Sequence, residues 1–429
     1  MRYQPINAKL FIQNRKNYAL RLKSGALSVF NSNDIMPTNA DGVMAFRQNN
    51  DLFYLTGIDQ EETILVLFPE CKNPIHREIL FIKETSEHIA IWEGHKLTKK
   101  NASEISGIKT IYWTYQFDSI FDGLTGESER IYINSNEHAR AAKEVETRDK
   151  RFVKWCKEKY PLHLYERSAP HMQALRQIKS EIEVGQIQEA CSITEKAFRR
   201  ILKFIKPGVM EYEIEAEILH EFIRNRSRGP AYSSIIASGE SACILHYIEN
   251  NQVCKKGELV LMDFGAEYAN YNADLTRSVP VNGRFTKRQK EVYNAVLRIQ
   301  RNAIKMLKTG NNTKDYNKAV TELVTKELID LKVLSLSEVK KQDKEKPLYK
   351  KYFMHGISHF LGLDVHDVGN RYDQFQQGMI FTCEPGLYLR EEKLGIRLEN
   401  DILITKNGNI DLMKNIPIEA DEIESIMNS

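Results

Sequence analysis

Asp263 in MDFGAEY, Asp274 in YNADLTR, His359 in HGISHFLG, Glu384 in TCEPGLY and Glu399 in IRLEN follow one another through the second half of the chain. Four carboxylates and one imidazole can hold two divalent cations side by side. A paired site of that kind makes hydroxide at neutral pH and polarises a carbonyl, which suits hydrolysis. Three more histidines, His246, His355 and His366, are interleaved with the five. His355, His359 and His366 stand at spacings of four and seven, among Gly356, Gly362 and Gly369. Glycines at that density predict irregular backbone, so the four-residue spacing is not read as a helical zinc motif, and no HExxH occurs.

Each donor taken singly has a plainer explanation. An aspartate in a turn accepts backbone hydrogen bonds, a histidine can be satisfied in a core, and a glutamate can lie on an edge strand. Asp263, however, follows the apolar run LVLM, and Glu399 lies in apolar strand-like sequence with ILIT close behind. Both carboxylates are expected inside, where a charge needs a partner or a metal. The oxygen-rich set with one imidazole suits Mn²⁺, Co²⁺, Fe²⁺ or Zn²⁺, with manganese preferred, and no cysteine belongs to it. Cys383, beside Glu384, reads as a small buried hydrophobe rather than a nucleophile.

Two stretches of different rhythm must position these groups. In the first, ETILVLF (62–68), EILFI (78–82) and RIYIN (130–134) are strand-like. Helical periodicity runs over 7–23 and 136–160, and the alternation predicts an α/β layer domain. The character changes near 165–172, where a pre-proline stretch leads into one long helix expected over 171–205 and ended by Pro207-Gly208. A second helix is expected near 211–227, with others at 286–308 and 313–334. Strands are expected at 232–239, 258–268, 273–281, 379–389, 393–405 and 407–413. A hairpin between Asp263 and Asp274 could bring both side chains to one end of a sheet.

Composition excludes some classes. The 429 residues allow two or three domains. The 61 basic and 58 acidic residues leave a net charge of +3, which argues against nucleic acid or an anionic membrane as a partner. Lys340 to Lys346 reads as a solvated face. MRYQPINAKLFIQNR lacks a signal-peptide pattern, and no apolar run reaches the roughly 20 residues needed to span a bilayer. Six scattered cysteines without a CxxC pair predict reduced thiols and a cytoplasmic protein.

Together MDFGAEYANYNADLTRSV, FMHGISHFLGLDVHDVG, TCEPGLY and GIRLEND resemble the aminopeptidase P and prolidase group of creatinase-like "pita-bread" metallopeptidases. The resemblance extends to 175–194, 233–250 and MAFRQNNDLFYLTGID (44–59), nearly the whole chain. It implies an α/β (α+β) protein with an N-terminal creatinase-like domain and mixed sheet over 1–168. A pita-bread catalytic domain over 169–429 would follow. It also implies two divalent ions bridged by Asp274 and Glu399, with Asp263 on one and His359 and Glu384 on the other. Glu384 would manage the proton of a bridging water. His246 would contact substrate near the scissile bond, His366 would steady the carbonyl oxygen, and His355 would lie near the proline-side pocket. Arg397 would hold the ligands and gate the pocket, and Tyr388 would support the site through its hydroxyl. Trp92 resembles a tryptophan at the substrate entrance, the alternative being a core tryptophan. The implied substrates are peptides with penultimate proline, and the implied assembly is a homodimer or homotetramer. Prolidase is the near alternative, although Ser358 before His359 looks more like the aminopeptidase P version. A metal-free pita-bread binding module is the distant one.

Overall fold

The apolar run ALSVFN contains no proline and is bounded by Gly25, so it extends as β1 (Ala26–Asn31) and is buried along its whole length. In the computed structural model, which describes residues 2–141 and 144–429, β1 lies inside a six-stranded mixed sheet. The other strands are β2 (Ile64–Leu67), β3 (Glu78–Ile82), β4 (Thr110–Trp113), β5 (Arg130–Ile133) and β6 (Leu164–Arg167). The order is β4-β3-β2-β1-β5-β6. β1 pairs antiparallel with β2 and parallel with β5. Val29, Val66, Phe81, Phe117 and Phe121 pack together on one face of this sheet.

Several expectations change here. β1, β4 and β6 were not anticipated. β1 is buried on both faces and shows no alternation. β6, LYER, is an edge strand with no buried residue. Of the helix expected over 136–160, residues 142 and 143 lie outside the described residues, and the helix itself spans Arg148–Lys159. It starts there because the Thr147 side chain accepts the Lys150 N–H. Trp92 is 78% exposed on the short helix Glu87–Glu93, which removes the core reading.

The helix expected across 171–205 is broken in two. Ala169–Arg176 packs with the helix Lys9–Ala19, and Arg176 pairs with Asp51 at 2.8 Å. The compact units divide just after it, between Arg176 and Gln177. A new helix, Glu181–Phe204, then starts on a capping box in which Ser180 and Glu183 bond each other's backbone N–H. Between the two helices, Lys179 is buried against Asp367 at 2.9 Å, an ion pair that a continuous helix would not place there.

The second unit holds β7 (Ile235–Ser238), β8 (Leu259–Phe264), β9 (Glu267–Tyr268), β10 (Tyr271–Asn272) and β11 (Leu275–Pro280). Later in the chain come β12 (Ile380–Cys383), β13 (Gly386–Leu389), β14 (Leu394–Arg397), β15 (Asn400–Thr405) and β16 (Gly408–Asp411). They form sheets β11-β8-β7 and β12-β15-β16 with the ribbons β13-β14 and β10-β9. The helices Glu181–Phe204, Glu211–Arg224 and Lys287–Met306 pack on these strands. Three of the expected long strands are interrupted. Gly265 separates β8 from β9 because a Cβ there would lie 1.7 Å from the Ala273 carbonyl oxygen. Pro385, without an N–H, separates β12 from β13. The third break, between β14 and β15, holds Glu399. Among the described residues no helix is long and apolar enough to cross a membrane, and the six cysteines are free and buried.

Candidate metal centre

Asp263 lies near the end of β8, opposite Thr276 in β11, and Asp274 immediately precedes β11. The connection turns through Ala269 and Asn270, both at positive φ (53° and 67°). The hairpin thus brings the two carboxylates together, and the Tyr232 hydroxyl lies 2.5 Å from an oxygen of each.

His359 and Glu384 come from segments tied by main-chain bonds. Thr382 N–H donates to the His359 carbonyl at 3.0 Å, and Glu384 N–H donates to that of Ile357 at 2.9 Å. The His359 Nδ1 lies 3.0 Å from the Phe360 carbonyl oxygen, which assigns the proton to Nδ1. Nε2 then faces acid, 3.4 Å from Asp274 Oδ2 and 3.7 Å from Glu384 Oε1.

Glu399 is 1% exposed. Its Oε2 accepts the Thr276 hydroxyl at 2.7 Å, whereas Oε1 has no hydrogen-bond partner. The buried Arg277 fixes it from behind, donating to the Glu399 carbonyl at 2.7 Å and to that of Pro417 at 2.9 Å. Asp274, His359 and Glu399 each offer a donor atom, all within 4.8 Å of one another.

The electrostatics follow from crowding. Burial, then the charges of Asp274, Glu384 and Asp263, push the Glu399 carboxyl well above its ordinary range. Burial raises Glu384 to about 7, even though His359 and Arg397 favour its ionised form. Asp263 is raised for the same first reason, against the pull of Arg397. Burial opposes charge on His359, but the Asp274 hydrogen bond and the Glu384 and Asp274 charges outweigh it and lift the pKa to about 9. Crowded acid and a buried, unpartnered carboxylate oxygen fit divalent cations, which relieve the repulsion and fill the open lone pair. Asp263, Asp274, His359, Glu384 and Glu399 could together hold a pair of them.

Arg397 extends the network. It donates to Asp263 Oδ2 at 2.5 Å, to the Tyr388 oxygen at 2.9 Å and to Thr276 Oγ1 at 3.0 Å. With its oxygen accepting from Arg397, the Tyr388 hydroxyl is free to donate to His355 Nε2, 2.8 Å away. The His355 Nδ1–H then donates to the Gly356 carbonyl at 2.6 Å. Burial, then repulsion by Arg397, lowers His355 to about 3, so the ring is neutral. His246 is exposed, yet near enough to contribute to that lowering. His366 is exposed and its ring meets that of His359 edge-on, with centroids 4.4 Å apart. Cys383 has its thiol pushed up to about 12 by burial, so it is no nucleophile.

The structure therefore gathers the donors, the three other histidines, Arg397 and Tyr388, while Trp92 belongs to the other unit. Sequence reasoning missed Tyr232 and Thr276. Thr276 could have been flagged by its place two residues after Asp274. Tyr232 sits 31 and 42 residues from the aspartates it touches, and nothing local distinguishes it from a core tyrosine.

Residues 185–406 match Metallopeptidase family M24, and residues 11–132 match the Aminopeptidase P N-terminal domain. The chain is 34% identical to an Xaa-Pro aminopeptidase of Haemophilus influenzae over 91% of this chain and 90% of the relative. It is 32% identical to an Xaa-Pro aminopeptidase of Escherichia coli over 98% of each. It superposes on zinc-substituted E. coli aminopeptidase P in complex with product with a TM-score of 0.88, at 31% identity and 99% coverage of both chains. The chain belongs to metallopeptidase family M24, in its aminopeptidase P branch. It is a metal-dependent aminopeptidase.

Proposed function

We propose that the protein removes the first residue from peptides whose second residue is proline, using the five converging donors as the seat of two divalent cations. The observation that carries this reading is that Asp274, His359 and Glu399 offer donor atoms within 4.8 Å of one another, with Glu384 beside His359 and Asp263 sharing the Tyr232 hydroxyl with Asp274. Asp263, Asp274, His359, Glu384 and Glu399 would be the residues that hold the cations. Cations held there supply Lewis acidity and lower the pKa of water.

The remaining work falls to side chains. An Xaa-Pro bond is a tertiary amide with no N–H, and as in any peptide hydrolysis its nitrogen must gain a proton as it leaves. Glu384 would take a proton from the attacking water and pass it to that nitrogen. His366 donates a hydrogen bond to the carbonyl oxygen as charge grows there. His246 contacts the peptide beside the scissile bond. The neutral His355, fixed by Tyr388, borders the proline pocket, and Arg397 holds the acids behind it. The substrate's free amino group is positive and is held by the acidic cluster, which limits cleavage to the first bond.

Manganese is the working cation in this reading, because oxygen donors with a single imidazole suit it. Zinc, cobalt and iron(II) are the substitutes. The assembly in this reading is a homodimer or homotetramer, supported by the exposed Ile91 and Trp92, each 78% accessible. The six free thiols support a cytoplasmic location. Manganese-loaded protein is expected to release the first residue from an X-Pro-Y peptide and to leave a proline-free control intact. Glu384→Ala should lose at least about a hundredfold in kcat. Full rate in a folded, metal-loaded Glu384→Ala variant would refute the mechanism.

A further inference from the structure

Glu211, the first residue of the helix Glu211–Arg224, is fully buried. Its carboxylate accepts four hydrogen bonds. Oε1 takes the Ser238 backbone N–H and hydroxyl, each at 2.7 Å. Oε2 takes the Tyr247 hydroxyl at 2.8 Å and the Gln252 backbone N–H at 2.9 Å. The Glu211 N–H returns a bond to the Gln252 carbonyl at 3.0 Å. One side chain therefore ties the end of β7 to the loop that follows.

That loop carries His246, next to Tyr247. Ile244, His246, Ile248 and Glu249 are exposed, and the loop is pinned inward at Tyr247 and at Asn250, which bonds Ile236 N–H and the Ser234 carbonyl. Tyr247 belongs to the buried cluster that includes Ala242, Leu261 and Tyr388, the same Tyr388 that orients His355. Upstream, Ala242 lies so close to β14 that a Cβ on Gly395 would come within 2.2 Å of its carbonyl oxygen. The path of the chain on both sides of His246 is set by buried contacts.

We propose that Glu211 is a positioning residue that sets His246 through Tyr247, so that the imidazole meets the peptide beside the bond to be cut. The inference rests on the role given to His246 above. A glutamine at 211 has one accepting oxygen. It cannot serve the Ser238 and Gln252 backbone donors together, because one of them would face its NH₂ group. The loop would loosen while the helix and sheet remain.

A double-mutant cycle on the manganese-loaded protein with an X-Pro-Y peptide tests this. Glu211→Gln should lower kcat/KM about tenfold through displacement of the histidine. In a His246→Ala background the same substitution should lower it by less than about twofold, because the two act through one contact. Amide exchange across residues 244–252 should quicken in Glu211→Gln. Additive losses in the double variant, or unchanged exchange in the loop, overturn the proposal and leave the role of His246 standing. Full activity in His246→Ala removes that role, and the proposal with it. If Glu211→Gln does not fold, Tyr247→Phe keeps three of the four bonds, and the same cycle decides.

Discussion

Tyr388 couples two parts of the site with one oxygen, accepting from Arg397 and donating to His355. In Tyr388→Phe the buried Arg397 loses an acceptor, which costs about 1–3 kcal/mol of stability, read from urea unfolding. His355 loses the donor that fixes its tautomer, and kcat/KM should fall about tenfold. A second residue, Asp149, links the N-terminal unit to pH. It is buried, accepts from Asn31 at 3.0 Å and has its pKa raised to about 7, chiefly by burial. The folded state thus holds a proton that the unfolded state releases near pH 4. Stability is expected to fall as pH rises from about 4 to 7 and then to level off. Asp149→Asn should flatten that slope in melting curves taken across the window. At this scale Asp263 and Glu399 were legible because each sits in an apolar string that forces it inward, and the other donors through the motifs that carry the family resemblance. Tyr232 and Glu211 were not, because their partners are distant in sequence.

The breaks between strands matter as much as the strands. Gly265 lets β8 pass against Ala273, and only there can Asp263 and Asp274 come together. Gly265→Ala should push the hairpin apart, lowering stability by about 1–3 kcal/mol and weakening manganese binding in titration calorimetry. A variant with unchanged affinity would show that the hairpin tolerates the shift. Periodicity located most strands and helices of the second unit but ran 379–389 and 393–405 together as single strands. The first ladder ends at Pro385, which has no N–H, and the second breaks at Glu399. Likewise the reading of 171–205 as one helix ran across the Ser180–Glu183 capping box that starts the second.

For the whole molecule, the tryptophans at 92, 113 and 155 all lie in the first unit, and all five donors lie in the second. Tryptophan emission therefore follows one unit, while circular dichroism reports on both. Manganese at a hundredfold excess over its Kd should stabilise the second unit by about 2.7 kcal/mol. The dichroism melt should move up while the tryptophan melt stays; equal shifts in both signals would contradict this. The two-part α/β organisation was legible in the chain because the rhythm of strands and helices changes between the parts. The edge strand β6 was not, since an exposed four-residue strand has no apolar signature.

The order of the donors has one more consequence. Asp263 and Asp274 share a hairpin, but their companions come with β12 to β15, and Arg277 needs the carbonyl of Pro417 to hold Glu399 in place. A polypeptide leaving the ribosome displays two aspartates long before it owns anything able to cut. Hydrolytic competence arrives only once the chain has been translated through Pro417, and a message ending ahead of the Glu399 codon would yield a product harmless to its neighbours.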